Sequence, residues 1–284
     1  MSDLIYSQRL DRLTASLSEQ NLDGIYITNM TNVRYMTGFT GSAGSCLVTM
    51  DNQYFFSDGR YLTQSKSEVK GFNRIIGNEA HLKMMSKNCD LSDGIKLGFE
   101  ADFVSVSLFN NMKKQFTHVN WEKTSRIIEE LAAVKDDTEL DALRTAVEIT
   151  DQVYKEVLPM IKVGVTEKEI ANELSFRYRA YGDGEAYSPI VATGANSALP
   201  HAVSGDRPFE KGDFIVIDAA AKYAGYHADM TRTPVVGEAT DRHREIYEIV
   251  KVSQQKGLDG VKAGLSCKDA DALTRNHIDG AGYG

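Results

Sequence analysis

Cysteine is scarce in this chain of 284 residues: Cys46, Cys89 and Cys267 are odd in number and lie far apart. That pattern fits a reducing compartment with buried or inert thiols better than a disulfide framework or a zinc cluster. Long apolar runs are lacking, none approaching the ~18 residues that would span a bilayer. The opening segment, Met1 to Leu13, is amphipathic and acidic rather than a secretory signal. Basic residues are outnumbered, 32 to 40, for a net charge of −8. Without a basic footprint, neither nucleic acid nor an anionic membrane is an expected partner. Biased tracts are also missing. What remains, 42% hydrophobic and 25% charged, is the composition of a soluble globular protein. The expectation is a cytoplasmic chain, long enough for two domains with separate cores.

The first part alternates helix and strand patterns. Leu10, Leu13 and Leu17 mark a helix face closing near Asn21, and Gly24 opens a strand. Two β-rich runs, Ser45 to Met50 and Gln53 to Ser57, flank Asp51-Asn52 as a hairpin. Further strands are expected at Phe72 to Ile76, Ile95 to Phe99 and His118 to Trp121. Helices are expected at Tyr61 to Val69, Ala80 to Lys87 and Phe103 to Phe116. This reads as a small α/β domain over residues 1–133. The second domain, 134–284, begins with a long amphipathic helix from about Thr138 to Met160. Thr166 and Glu169 then have capping-box spacing. The unit recurs one hundred residues on. Ile161 to Glu169 matches Val261 to Asp269, and Asp141, Arg144, Glu148 and Ile149 match Asp241, Arg244, Glu248 and Ile249. The match reads as a duplicated helix–turn–helix. In the first copy a strand from Tyr187 to Thr193 and an acidic hairpin follow, whereas the second copy reaches Gly284 before any such strands.

That hairpin carries the chemistry. Ten residues separate Asp218 from Asp229; the apolar run Phe214 to Ile217 leads into the first acid, and Tyr226 to Val236 can return as a second strand. A turn centred between Tyr223 and Ala224 would set Asp218 directly opposite Asp229, with His227 and Thr231 on the same face and Arg232 on the other. Two ionised carboxylates so placed would repel by roughly 3 kcal/mol at an effective dielectric near 20. A shared proton, a basic side chain or a metal cation could offset that. Solvated turn acids give the same spacing, but the apolar run before Asp218 favours a metal site.

The ordered motifs extend this reading. Pro189 to Gly205, containing His201, is followed by Lys211 to Asp218 and by Tyr226 to Thr233. Together they resemble the proline-specific metallopeptidases, the Xaa-Pro aminopeptidase (aminopeptidase P) and Xaa-Pro dipeptidase group with its pita-bread catalytic fold. Asn32 to Gly44 and Phe56 to Tyr61 resemble the creatinase-type N-terminal domain that accompanies it. The resemblance spans essentially the whole chain. It implies an α/β creatinase-like domain followed by an α+β pita-bread domain, apparently incomplete at its C-terminal end.

By that resemblance, two divalent metal ions sit between pseudo-symmetric halves, commonly manganese, with cobalt or zinc as alternatives. Asp218 matches the first ligand motif and Asp229 the second, whose counterpart bridges both ions. His201 matches a catalytic histidine that hydrogen-bonds the reacting group without ligating metal, and His227 fits sheet packing or an outer contact better than ligation. Two departures stand out. Ala219-Ala220 follows Asp218 where glycine is usual at the second place. The family's remaining ligands, a histidine in a Gly-His-Gly loop and two glutamates, have no match here. The expectation is therefore a C-terminally truncated Xaa-Pro aminopeptidase, inactive or weakly active, acting on proline-containing peptides and assembling as a homodimer. The dipeptidase (prolidase) and a non-catalytic dimerisation or binding remnant are the alternatives. Metal-free creatinase is disfavoured by the retention of both aspartates.

Overall fold

The computed structural model describes residues 2–284 and divides the chain into two compact units that meet at Lys135–Asp136. The first runs α1 (Ser2–Glu19), β1 (Gly24–Ile27), α2 (Met30–Thr37), β2 (Ser45–Thr49), β3 (Gln53–Asp58), α3 (Leu62–Glu68), β4 (Asn73–Gly77), α4 (His81–Asn88), β5 (Lys96–Glu100), α5 (Val106–Gln115), β6 (Asn120–Thr124) and α6 (Ile127–Ala133). Its six-stranded sheet has the order β4-β3-β2-β1-β5-β6. The β1–β2–β3 meander is antiparallel, and the other three pairings, β3–β4, β1–β5 and β5–β6, are parallel. Alternation along each strand divides the core between two faces. Ile25, Ile27, Cys46, Val48 and Phe55 pack with Leu13, Leu17, Val33, Met36 and Ile127. Tyr26, Leu47 and Phe56 pack on the opposite side with Leu82, Met85, Met112 and Phe116. Covering both faces permits the parallel pairings. The helix α2, not apparent in the residue pattern, is capped by the Asn29 side chain and ends at Gly38, whose φ of 80° is left-handed.

The second unit runs α7 (Asp137–Val157), α8 (Glu167–Tyr181), β7 (Gly184–Glu185), β8 (Ile190–Thr193), β9 (Ile215–Asp218), β10 (Ala221–Tyr223), β11 (Tyr226–His227), β12 (Thr231–Arg232), α9 (Asp241–Gly260) and α10 (Cys267–Gly280). Capping boxes at Asp136 and Thr166 start α7 and α8. The apolar stripes of these helices (Ile149, Val153, Val157, Ile170, Leu174) bury the inner residues Ile215 and Ile217 of β9. Val216 and Asp218 therefore point to the other, half-buried face. The duplication is visible in backbone geometry. Gly164 and Gly264 adopt φ of 90° and 89°, and Thr166 and Ser266 cap the helices that follow. In the second copy, Gly257 approaches Thr274 and Gly260 approaches Leu273, letting α9 and α10 pack closely. No helix among the described residues is long and apolar enough to cross a membrane.

The acidic hairpin turns at Ala224-Gly225, with φ of 50° and 86°, and Tyr223 pairs with Tyr226. Positive φ at both central residues is the type I′ arrangement, which suits the right-handed twist of paired strands. Its centre lies one residue later than the pattern suggests. Thr231, not Asp229, stands opposite Asp218, and Ala220 takes the place facing Asp229. A shift of the partner by two residues keeps the same face, so the acids remain on one side as diagonal neighbours. Alanine in the left-handed region costs about 1–2 kcal/mol, whereas asparagine tolerates it. Replacing exposed Ala224 by asparagine is expected to stabilise the fold by about 0.5–1 kcal/mol, read as a higher urea midpoint at unchanged m-value. A lower midpoint would contradict the turn assignment.

Candidate metal centre

Asp218 is the last residue of β9, the central strand of the β8–β9–β12 sheet, and Asp229 follows β11. Between them the chain passes from that sheet to the β7–β10–β11 sheet through Ala219 and Ala220, both fully buried. Ala219 packs in the core with Ile149 and Val153 of α7, and Ala220 packs with Ala146 of the same helix. The hairpin is held from below by Tyr154 of α7. Its hydroxyl lies 2.9 Å from the Ile217 carbonyl and 2.8 Å from that of Met230, a shared donation that ties both strands to the helix. Burial, reinforced by the nearby Asp218 charge, pushes the Tyr154 phenol far up, so it stays a donor at neutral pH.

The two acids meet at a single side chain. Tyr187 Oη lies 2.5 Å from Asp218 Oδ1 and 2.9 Å from Asp229 Oδ1. Burial, then the two carboxylates, push this phenol well above its ordinary range, so its one proton is held between them. Among the described residues no lysine, arginine or histidine forms an ion pair with either acid. Arg232 is exposed and donates to the adjacent Thr231 carbonyl. His227 pairs with Lys222 across β10–β11, and burial together with the Lys222 charge lowers its pKa. Thr231 is exposed opposite Asp218. Of the alternatives that could offset carboxylate repulsion, the basic side chain is therefore not used. The hard oxygen donors fit a divalent cation. No group of three His, Cys, Asp or Glu that could hold a metal occurs among the described residues.

His201 is exposed on the loop after the 3₁₀ turn Gly194–Ala198 and makes no hydrogen bond to another described residue. The structure does not join it to the acid pair by any direct contact. It does anchor the loop. Fully buried Glu167, the first residue of α8, accepts from the Thr193 amide (2.8 Å), the Asn196 side-chain amide (3.1 Å) and the Gly205 amide (3.0 Å). Its own amide donates to the Arg207 carbonyl at 3.1 Å. One carboxylate at a helix N-terminus thus clamps both ends of the histidine loop. Sequence patterns do not reveal Tyr187, Tyr154 or Glu167. Tyr187 precedes β8 rather than lying in it, because that strand begins at Ile190. The available clue is that Ile190 pairs with Asp218, so the residues just before it must pass the acid.

Comparison with known proteins bears on the family. Residues 141–284 match the model for metallopeptidase family M24, and residues 9–134 match the creatinase/prolidase N-terminal domain. An uncharacterised peptidase of Bacillus subtilis, YqhT, is 38% identical over 278 residues, covering 97% of this chain and 78% of its own. The Xaa-Pro dipeptidase of Pyrococcus furiosus is 31% identical, with 98% and 78% covered. Among solved structures, an Xaa-Pro dipeptidase from Bacillus anthracis superposes with a TM-score of 0.91 at 36% identity, covering 98% of this chain and 79% of that one. An X-Pro aminopeptidase from Thermotoga maritima gives 0.88 at 33%, covering 93% and 77%. The chain belongs to metallopeptidase family M24, its family domain preceded by a creatinase/prolidase N-terminal domain.

The Glu167 clamp leads to a stability prediction. Glu167→Ala leaves buried donors without acceptors and is expected to cost about 3 kcal/mol in urea unfolding, whereas Glu167→Gln keeps one acceptor oxygen and costs about 1 kcal/mol. Equal, negligible losses in both variants would show that the clamp does not hold the loop.

Proposed function

We propose that this protein is a metal-dependent peptidase acting on the bond between an N-terminal residue and proline, with Asp218 and Asp229 as cation ligands. The observation that supports this most is the acid pair itself: two carboxylates on one sheet face, meeting at one neutral phenol, in a metallopeptidase family. Two divalent ions, manganese by preference and cobalt or zinc in its place, would supply a nucleophile at neutral pH and polarise the scissile carbonyl. The chain's own residues have distinct tasks. Asp229, diagonal to Asp218, can offer an oxygen to each of two ions. His201, on its clamped loop, donates a hydrogen bond to the substrate carbonyl as charge develops there. The nitrogen of an Xaa-Pro bond carries no hydrogen, so proline is selected by shape rather than by an acceptor.

Of the two specificities, we propose removal of one residue from longer peptides. The dipeptidase reading is favoured by the names of the Pyrococcus and Bacillus anthracis relatives, and the aminopeptidase reading by that of the Thermotoga structure. Cleavage of an Xaa-Pro-Yaa tripeptide separates them, because a dipeptidase accepts only substrates whose proline carries the free carboxylate.

Calorimetric titration with manganese tests the site. Asp218→Asn and Asp229→Asn are each expected to weaken binding at least about tenfold. Equal affinity in wild type and both variants would remove the assignment. The 284-residue chain is expected to turn over Xaa-Pro peptides slowly or not at all. A divalent ion takes about four to six donors, and no third metal-ligating side chain joins the two acids among the described residues. Robust manganese-dependent turnover would contradict that donor count.

A further inference from the structure

The first unit holds a cluster of side chains that the peptidase reading leaves unused. Ser45, the first residue of β2, has its Oγ 2.9 Å from Nδ1 of His81, the first residue of α4. Tyr26 of β1 donates its hydroxyl to the same Oγ at 3.1 Å. Three elements therefore converge on one serine oxygen. Burial pushes the Tyr26 phenol up to about 12, so it keeps its proton. Burial also lowers the His81 pKa, against the opposing Asp58 charge, and the imidazole is neutral at pH 7. With the Tyr26 proton directed at Oγ, the serine proton has the Nδ1 lone pair as its acceptor. The order Tyr26, Ser45, His81 is that of a hydroxyl resting against a base.

Ser45 is 1% exposed, so its approach is through the cavity of about 320 Å³ lined by Tyr26, Ser45, His81, Leu82 and Leu108. That volume is small for a ligand site and its leucine wall suits a short apolar acyl group. We propose that Ser45 and His81 form a nucleophile–base pair for small acyl esters. The pair lies wholly within the first unit, so the inference is independent of the metal reading. Ser45 Oγ bonds to the ester carbonyl carbon while its proton passes to His81 Nδ1. The bond from that carbon to the alkoxide then breaks, and the alcohol leaves with the proton from His81. Water repeats the sequence on the acyl-serine, releasing the carboxylic acid and restoring the hydroxyl. The Asp58 charge favours the imidazolium as it forms, and Tyr26 holds Oγ in place.

The test treats the 284-residue chain with a small fluorophosphonate, which transfers its phosphonyl group to an activated serine with loss of fluoride. Peptide mass spectrometry then locates the adduct. Label on Ser45 is expected in the folded wild type, and its rate should fall about a hundredfold in His81→Gln. p-Nitrophenyl acetate should release nitrophenolate in a reaction that Ser45→Ala abolishes. An unlabelled Ser45 in the wild type, or label confined to other serines, would overturn the proposal without recourse to any variant. Equal labelling of Ser45 after unfolding in urea would also overturn it, because the reactivity is assigned to the folded cluster. Equal rates in wild type and a His81→Gln protein with an unchanged urea midpoint would show that His81 is not the base, and would sink the pair.

Discussion

Two carboxylates held on one face of a bent hairpin are the constraint around which the second unit is arranged. Like charges at that separation do not persist without compensation. Among the described residues, the side chain that hydrogen-bonds both is the Tyr187 phenol. Beneath the pair, Ile215 and Ile217 are buried against α7 and α8, and Tyr154 ties the Ile217 and Met230 carbonyls to the helix. The acids cannot relax inward, and their spacing is set by backbone rather than by their own side chains. Rigid support under a charge-repelling pair is what a preorganised cation site requires.

The second supporting feature is the clamp on the histidine loop. A loop carrying an exposed residue is free to wander unless its ends are fixed. Glu167 fixes both, with buried, charge-assisted hydrogen bonds to residues on either side of His201. The loop and the hairpin are thus anchored on the same pair of helices, α7 and α8. Their recurrence as α9 and α10, down to matching left-handed glycines one hundred residues apart, indicates that one helix–turn–helix scaffold has been used twice. In the first copy that scaffold supports the acids; in the second its helices pack chiefly on each other.

Much of this was legible in the residue order, and what was not has identifiable causes. Alternation of Ile215 and Ile217 with Val216 and Asp218 reveals which face the acid takes, because period two in a half-buried strand has one solution. The register is harder. Turn centres at 223/224 and 224/225 both use Gly225, and the choice depends on alanine accepting a left-handed conformation at 224. The shared face survives that ambiguity because the two registers differ by an even number of residues. Short helices such as Met30–Thr37 and Ile127–Ala133 hold too few turns for a periodic pattern to emerge. Tyr187 and Glu167 act through tertiary docking, Tyr187 over 31 and 42 residues and Glu167 over 26 to 38. No local pattern encodes such reach.

The central claim is that the oxygens of Asp218 and Asp229 close on a divalent cation. Crystals grown with manganese, measured on either side of its absorption edge, test this most directly. The account predicts an anomalous difference peak within about 2.0–2.6 Å of carboxylate oxygens from both residues. A peak bound elsewhere, or none beside two well-ordered carboxylates still bonded to Tyr187, would contradict it.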